Sequence, residues 1–283
     1  MEEKKHGSAK RVLIVILVLA LVLVTGAFFL FGGRVQVQMP AVSGGYHYER
    51  AKEYHTLAEQ PAEGLAPARV KLNWISGSVE ITATDAEFVA ISEDYDGADD
   101  ALRLRWRMDG DTLIVQPCAS GNLGGVSLPD KTLTVALPRG VAELEVDTVS
   151  AEVALTDVEA EIVELDTVSG TIAGTGITAM ETSVDTTSGT VSLEFAALRK
   201  FEADTTSGDV KVSFAQTPEK VDLDAVSGTL TAALPEGSRY KLDWDTVSGV
   251  ADASGYRAPS GKGGKTVKLS ASTVSGSLWI QTN

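Results

Sequence analysis

Carboxylates set two residues apart, and set so again about twenty residues later, are the residues here best placed to do chemistry. Glu145 and Asp147 recur as Glu164 and Asp166, Ser183 and Asp185, Glu202 and Asp204, Asp222 and Asp224, and Asp243 and Asp245. Eleven of these twelve positions are acidic, too many for chance scatter along a surface. Carboxylate oxygens ligate hard cations such as Ca²⁺ and form charge-assisted bonds with lysine and arginine. They are also the usual acids and bases of glycan-cleaving enzymes, where two must converge on one bond. Here they are spread evenly, which fits a long contact surface better than one catalytic cluster. No loop with calcium-ligand spacing occurs, and the Gly/Asp-rich nonapeptide of calcium-binding β-rolls is absent. A solvated face that keeps the molecule soluble is the plainer reading of the same pattern.

The elements that carry these acids are read from the residues that follow them. A Thr-Val-Ser-Gly tetrapeptide, or a near copy, places serines at Ser150, Ser169, Ser188, Ser207, Ser227, Ser248 and Ser275, at intervals of 19, 19, 19, 20, 21 and 27 residues. A repeat of this length is one supersecondary unit stacked many times. Within a unit the apolar residues alternate, as Val163 and Leu165 do around Glu164, which is the period of a strand with one buried face. The inward columns are Leu144, Val163, Thr182, Phe201, Val221, Leu242 and Val146, Leu165, Val184, Ala203, Leu223, Trp244. By parity the motif Thr and Ser are predicted to face inward, and the Gly to permit a turn. The predicted fold is all-β, a parallel β-solenoid of about 19–20 residues per coil, with irregular coils over 69–140 and regular repeats over 141–283. Ile75-Ser76-Gly77 is a degenerate early copy of the motif, whereas Ala151 replaces the motif glycine in the first regular coil.

Ahead of this domain, Val12 to Phe31 run for 20 residues without a charge or a proline. At about 1.5 Å per residue such a helix spans roughly 30 Å, the hydrocarbon thickness of a bilayer. Residues 1–11 hold four basic groups, so the positive-inside rule predicts a cytoplasmic tail over 1–11 and a single-pass anchor over 12–31. Residues 32–68 read as a juxtamembrane spacer, and everything after the anchor as extracytoplasmic. The net charge of −15 excludes nucleic acid as a natural partner. The remaining partners are the membrane, basic peptides, envelope components or divalent cations. Cys118 is the only cysteine, so there is no intrachain disulfide.

Other candidates for chemistry are poorer. His47 and His55 lie among Tyr46, Tyr48 and Tyr54 without paired carboxylates or cysteines, and read as ordinary spacer residues. Gly264-Lys265-Thr266 superficially matches the end of a phosphate loop, but Pro259 stands where its first glycine belongs. The motif serines have no histidine nearby to activate them. No catalytic residue, resident metal or cofactor is assigned.

The order of segments resembles a bacterial, adhesin-like family of domains of unknown function. The resemblance rests on Ile75–Ile81 (ISGSVEI), on DGDTLIVQP from Asp109, on Lys131 to Gly140, and on the serial Asp-Thr-Val-Ser-Gly repeats that follow. It covers roughly Leu65 to Asn283. It implies a β-solenoid, frequently membrane-tethered, linked in some members to envelope stress or surface attachment, and it carries no agreed catalytic residues. The expected function is a non-enzymatic interaction, adhesion or stress-sensing module that works through its acidic face. A polysaccharide-active β-helix enzyme and a purely structural spacer are the alternatives.

Overall fold

The computed structural model describes residues 46–121, 129–258 and 265–283. The apolar run Val12–Phe31 and the middle of the Ser254–Lys265 loop fall outside them. No helix among the described residues is long and apolar enough to cross a membrane. The described chain is all-β, with two single-turn 3-10 helices at Ala51–Glu53 and Asp100–Leu102.

In chain order, β1 (Arg69–Trp74) and β2 (Gly77–Thr84) make a first coil. The strands β3 (Ala90–Asp94), β4 (Arg105–Asp109), β5 (Thr112–Gln116) and β6 (Lys131–Pro138) make an irregular second one. Regular coils follow: β7 (Val141–Thr148) and β8 (Glu152–Thr156), then β9 (Ala160–Thr167), then the long β10 (Thr171–Thr186) and β11 (Thr190–Thr205), each continuing around a corner. The set closes with β12 (Asp209–Phe214), β13 (Lys220–Ala225), β14 (Thr229–Leu234), β15 (Arg239–Thr246), β16 (Val250–Gly255), β17 (Thr266–Thr273) and β18 (Ser277–Thr282).

Two parallel ladders result. The strands before each serine pair as β5-β1-β7-β9-β10-β11-β13-β17-β15. Those after it pair as β6-β2-β8-β10-β11-β12-β14-β18-β16. Antiparallel β4 and β3 are added at the β5 and β6 edges. The predicted inward columns are buried except for Leu242 and Trp244 in the last coil of the stack. Each buried Val or Leu contributes about 1.5–3 kcal/mol relative to exposure. No coil has an inner layer of its own, so that burial exists only when coils stack.

Stacking does not follow chain order at the ends. The first coil lies between the second and the third, and the last coil (β17, β18) lies between the β13/β14 coil and the β15/β16 coil. Both terminal coils are therefore tucked one layer inside. The side chains explain the C-terminal case. Leu269 and Ala271 of β17 fit an enclosed layer and are fully buried, whereas Leu242 and Trp244 of β15 sit where one side is open.

The motif is corrected in two respects. Its threonines do face inward: Thr148, Thr167, Thr186, Thr205 and Thr273 are buried. Its serines face outward, and the hydroxyls of Ser150, Ser169, Ser188, Ser207, Ser227 and Ser248 each donate to a carbonyl of the adjacent coil, as Ser169 does to Val149 at 3.2 Å and Ser248 to Val274 at 3.1 Å. The parity breaks because the chain turns at Val-Ser, so strand alternation no longer applies there. The glycine is needed less for backbone freedom than for close approach. A Cβ on Gly189 would stand 2.5 Å from the Gly170 carbonyl oxygen, and one on Gly208 would stand closer still to that of Gly189. Its N–H is bonded to the motif threonine, 2.8 Å from Gly189 to Thr186 Oγ1 and 2.8 Å from Gly208 to Thr205 Oγ1. In the coil with Ala151, the Thr148 hydroxyl turns instead to the Asp166 carbonyl at 3.4 Å.

Candidate functional site

Parallel in-register pairing decides where the predicted acids go. Asp147, Asp166, Asp185, Asp204 and Asp224 stand directly beside one another on consecutive strands, about 4.8 Å apart from strand to strand. Beside them runs a second column of Glu145, Glu164, Ser183, Glu202 and Asp222. Nine of the eleven predicted acids thus form one continuous acidic surface. Asp243 and Asp245 do not join it, because Ser270 and Ser272 of the tucked-in coil lie between them and Asp222 and Asp224. That insertion spares the column two more like-charge contacts, each of which would be destabilising.

The inner aspartates are half-buried, and burial is the first cause of their altered acidity. Burial, then the charges of Asp147 and Asp185, push the Asp166 carboxyl up to about 8. Burial, then Asp185 and Asp224, push Asp204 up to about 7. Asp185 is raised by burial and by Glu202, and Glu164 by burial and by Glu145. The ends of the column are treated differently. Lys71 stands in the first coil beside Glu145 and Asp147, bonds Glu145, and lies 3.1 Å from Asp147. At the other end the Ser272 hydroxyl donates to Asp224, and Lys220 bonds Asp222. Among the described residues, Asp166, Asp185 and Asp204 receive neither a cation nor a hydroxyl.

A third outward column gives the surface its polarity. Seven residues before each serine stand Glu143, Ile162 and Glu181, then Lys200, Lys220, Lys268 and Lys241 in stacking order. Among the described residues, the half of the acidic face nearer β7 therefore has flanking cations only at its end, Lys71 and Arg69, the latter 3.7 Å from Glu143, while the other half is bordered by lysines. Ile162 and Met180 are exposed apolar side chains on the cation-poor half.

Sequence reasoning missed Lys71, although the degenerate Ile75-Ser76-Gly77 copy puts it at the same position as the acids. It also missed Arg107, a buried guanidinium whose Nε and Nη1 have no hydrogen-bond partner among the described residues. Arg107 lines a cleft of about 230 Å³ with Glu53, His55, Gln60, Leu65, Trp106 and Met108. No sequence signal marks it, since an Arg in a short antiparallel strand looks solvent-facing.

The sequence profile of the Toastrack DUF4097 family matches residues 109–281, more than half of the chain. The chain belongs to that family. Two solved structures are similar to it. One, from Bacteroides fragilis NCTC 9343, is described as a candidate adhesin, with 15% identity and a TM-score of 0.47 over 76% of this chain and 94% of that one. The other, a candidate cell adhesion protein from Clostridium sporogenes ATCC 15579, has 15% identity and a TM-score of 0.33 over 77% and 94%. No curated protein matches the chain.

The remaining candidates of this Toastrack chain are packed rather than reactive. Cys118 is fully buried and its thiol is pushed up to about 11 by burial. Tyr46, Tyr48 and Tyr54 form an aromatic cluster, with ring centroids 5.7 Å and 4.7 Å apart in successive pairs. His55 pairs through its backbone with Trp106. Among the described residues no group of three or more His, Cys, Asp or Glu is arranged to hold a metal ion.

Proposed function

We propose that this chain is a non-enzymatic, membrane-anchored extracytoplasmic β-solenoid that binds a basic partner along its acidic face. The carrying observation is the inner column Asp166, Asp185 and Asp204, half-buried and without a counter-ion between Lys71 and Ser272. Protons on such a column compete with a cationic partner, which therefore binds more tightly as pH rises and gains by neutralising carboxylates that otherwise repel one another. Exposed Ile162 and Met180 beside it favour a partner that is basic and partly apolar, such as an extended lysine-rich peptide, over a bare divalent ion. The even spread of the acids over consecutive coils supports a contact surface over a glycan-cleaving centre, which needs two carboxyls converging on one bond. The anchor reading rests on Val12–Phe31 and the basic residues before it.

The test is a thermal melt of the full chain in non-ionic detergent, with a lysine-rich peptide or millimolar Ca²⁺ at fixed ionic strength and Mg²⁺ as control. A ligand of the folded state at a hundred times its Kd stabilises by about 2.7 kcal/mol. The peptide is expected to raise Tm, more at pH 8.5 than at pH 6, and Asp166→Asn/Asp185→Asn/Asp204→Asn together to abolish the shift. A Ca²⁺ shift beyond the Mg²⁺ control would make the column a cation site. No shift with either probe sinks the acidic face as a binding surface.

A further inference from the structure

The two ends of the coil stack are closed unequally. At the β5/β6 end, antiparallel β4 and β3 cover the edges, and residues 46–65 pack over them through His55 with Trp106, Leu65 with Val89, and Tyr46 with Gln116. At the other end, among the described residues, β15 pairs only with β17, and β16 only with β18. Among the described residues nothing pairs with the open side of β15. Its inward Tyr240, Leu242 and Trp244 are only partly buried, and Val247 and Val250 at the following turn are 50% and 64% exposed. An uncovered strand of this kind is a template for another strand, and natural proteins rarely leave one without a device against it. The β16 edge has a register break between Asp252 and Gly255, whereas β15 is regular throughout and is guarded only by its charges, Arg239, Lys241, Asp243 and Asp245, which oppose pairing unless each meets its opposite.

The backbone dictates which residues a new strand would meet. In a parallel ladder each residue turns its N–H and C=O to one side, and successive residues alternate. Arg239 and Val247 point inward along the stack, donating to Lys265 at 2.9 Å and Thr273 at 3.3 Å. Tyr240, Leu242, Trp244 and Thr246 therefore offer their backbone groups to the open side.

We infer that this edge pairs with the same edge of a second copy, antiparallel about a two-fold axis through Leu242. In that register Leu242 meets its own copy and Tyr240 meets Trp244 as backbone-bonded pairs, so the inward apolar side continues from one copy into the other. Lys241 then meets Asp243 twice, once on each side of the axis, as non-bonded pairs whose side chains approach most closely. Arg239 falls opposite Asp245 in the same way. Neighbouring registers are disfavoured by charge. Centring on 243 sets Asp243 against Asp243, and centring on 241 sets Lys241 against Lys241, each a like-charge contact. Within its own coil stack exposed Lys241 stands beside Lys268 and has no carboxylate partner among the described residues. An isologous pair supplies one, and the symmetry closes the assembly at two. Tyr46 lies at the opposite, covered end, so the two copies of Tyr46 are carried far apart. If the anchor proposed above is correct, the dimer joins two surfaces; that consequence rests on the anchor, and the pairing does not.

The experiment is sedimentation or light scattering of the full chain in non-ionic detergent over a concentration series, with a charge-swap set. The wild type is expected to dimerise. Lys241→Asp alone and Asp243→Lys alone place like charges on both sides of the axis and should weaken the dimer at least tenfold. Mixing the two variants sets the paired carboxylates of one against the paired ammonium groups of the other, and should restore dimers as heterodimers. Recovery on mixing cannot come from a misfolded variant. A wild type that stays monomeric, a dimer insensitive to both substitutions, or variants that stay apart on mixing each overturn the proposal.

Discussion

Asp147 and Asp166 occupy the same position on adjacent strands, face the same way and are similarly half-buried, yet their surroundings are opposite. Asp147 has Lys71 3.1 Å away, and the attraction of that ammonium offsets part of the cost of burial. Asp166 has aspartates on both sides and no cation. The repeat thus makes identical slots, and the charge state of each is decided by what the neighbouring coil inserts. Tucking both terminal coils one layer inward places Lys71 at one end of the column and Ser272 at the other. The column is relieved at its ends and left strained in its middle.

The sharpest way to break this contrast is to remove the cation. Lys71→Met keeps the stem that packs along the sheet and leaves Glu145 and Asp147 half-buried and unpaired. Breaking a buried pair by removing one partner costs about 3–5 kcal/mol, and the 17% exposure of Lys71 places this case near the lower bound. Urea denaturation should show a loss of about 2–3 kcal/mol with an unchanged m-value. A loss below about 0.5 kcal/mol would mean that the two ends of the comparison do not differ.

Removing the middle charge should act in the opposite direction. Unfolded aspartates lose their protons near pH 4, whereas folded Asp204 keeps its proton to about 7 and folded Asp166 to about 8. Between those values the folded chain binds more protons than the unfolded one, so stability falls as pH rises from about 4 to 8 and levels off above it. Asp166→Asn removes a group that is charged only at a cost, and should raise stability at pH 8.5 by about 1–2 kcal/mol and flatten the decline. A Tm series from pH 5 to 9 for both proteins measures this. A wild-type Tm that rises across that range contradicts the strained column.

How much of this was legible beforehand differs between coil and stack. Alternation around Glu164 and the even spacing of the serines gave strands, inward columns and the acidic face, because those depend on residues near in sequence. The order of coils was not legible, since the last coil carries the same Val-Ser-Gly turn as its neighbours, and local pattern does not say which edge it joins. The volume of Trp244 against Ala271, and serines at positions 270 and 272, were the physical clues. The facing of the motif serines failed for a different reason: strand parity was carried through a corner. Continuity of the acidic column failed only at Asp243 and Asp245, which the intercalated coil separates from it.

The smallest of these effects concerns the donor at the far end of the column. Ser272 donates to Asp224, whose carboxyl is nevertheless raised by burial and held back by that bond. Ser272→Ala removes one hydrogen bond to a charged group and costs about 1–2 kcal/mol if Asp224 stays ionised. If Asp224 instead takes up a proton, as Asp204 on the next strand does below about 7, the cost shrinks and is lost below its new titration point. The variant should therefore lose more stability at pH 8.5 than at pH 5.5, and its Asp224 carboxyl carbon should titrate higher by NMR. An equal loss at both pH values would show that the hydroxyl packs against the column without relieving its charge. The end of the site would then be no different from its middle.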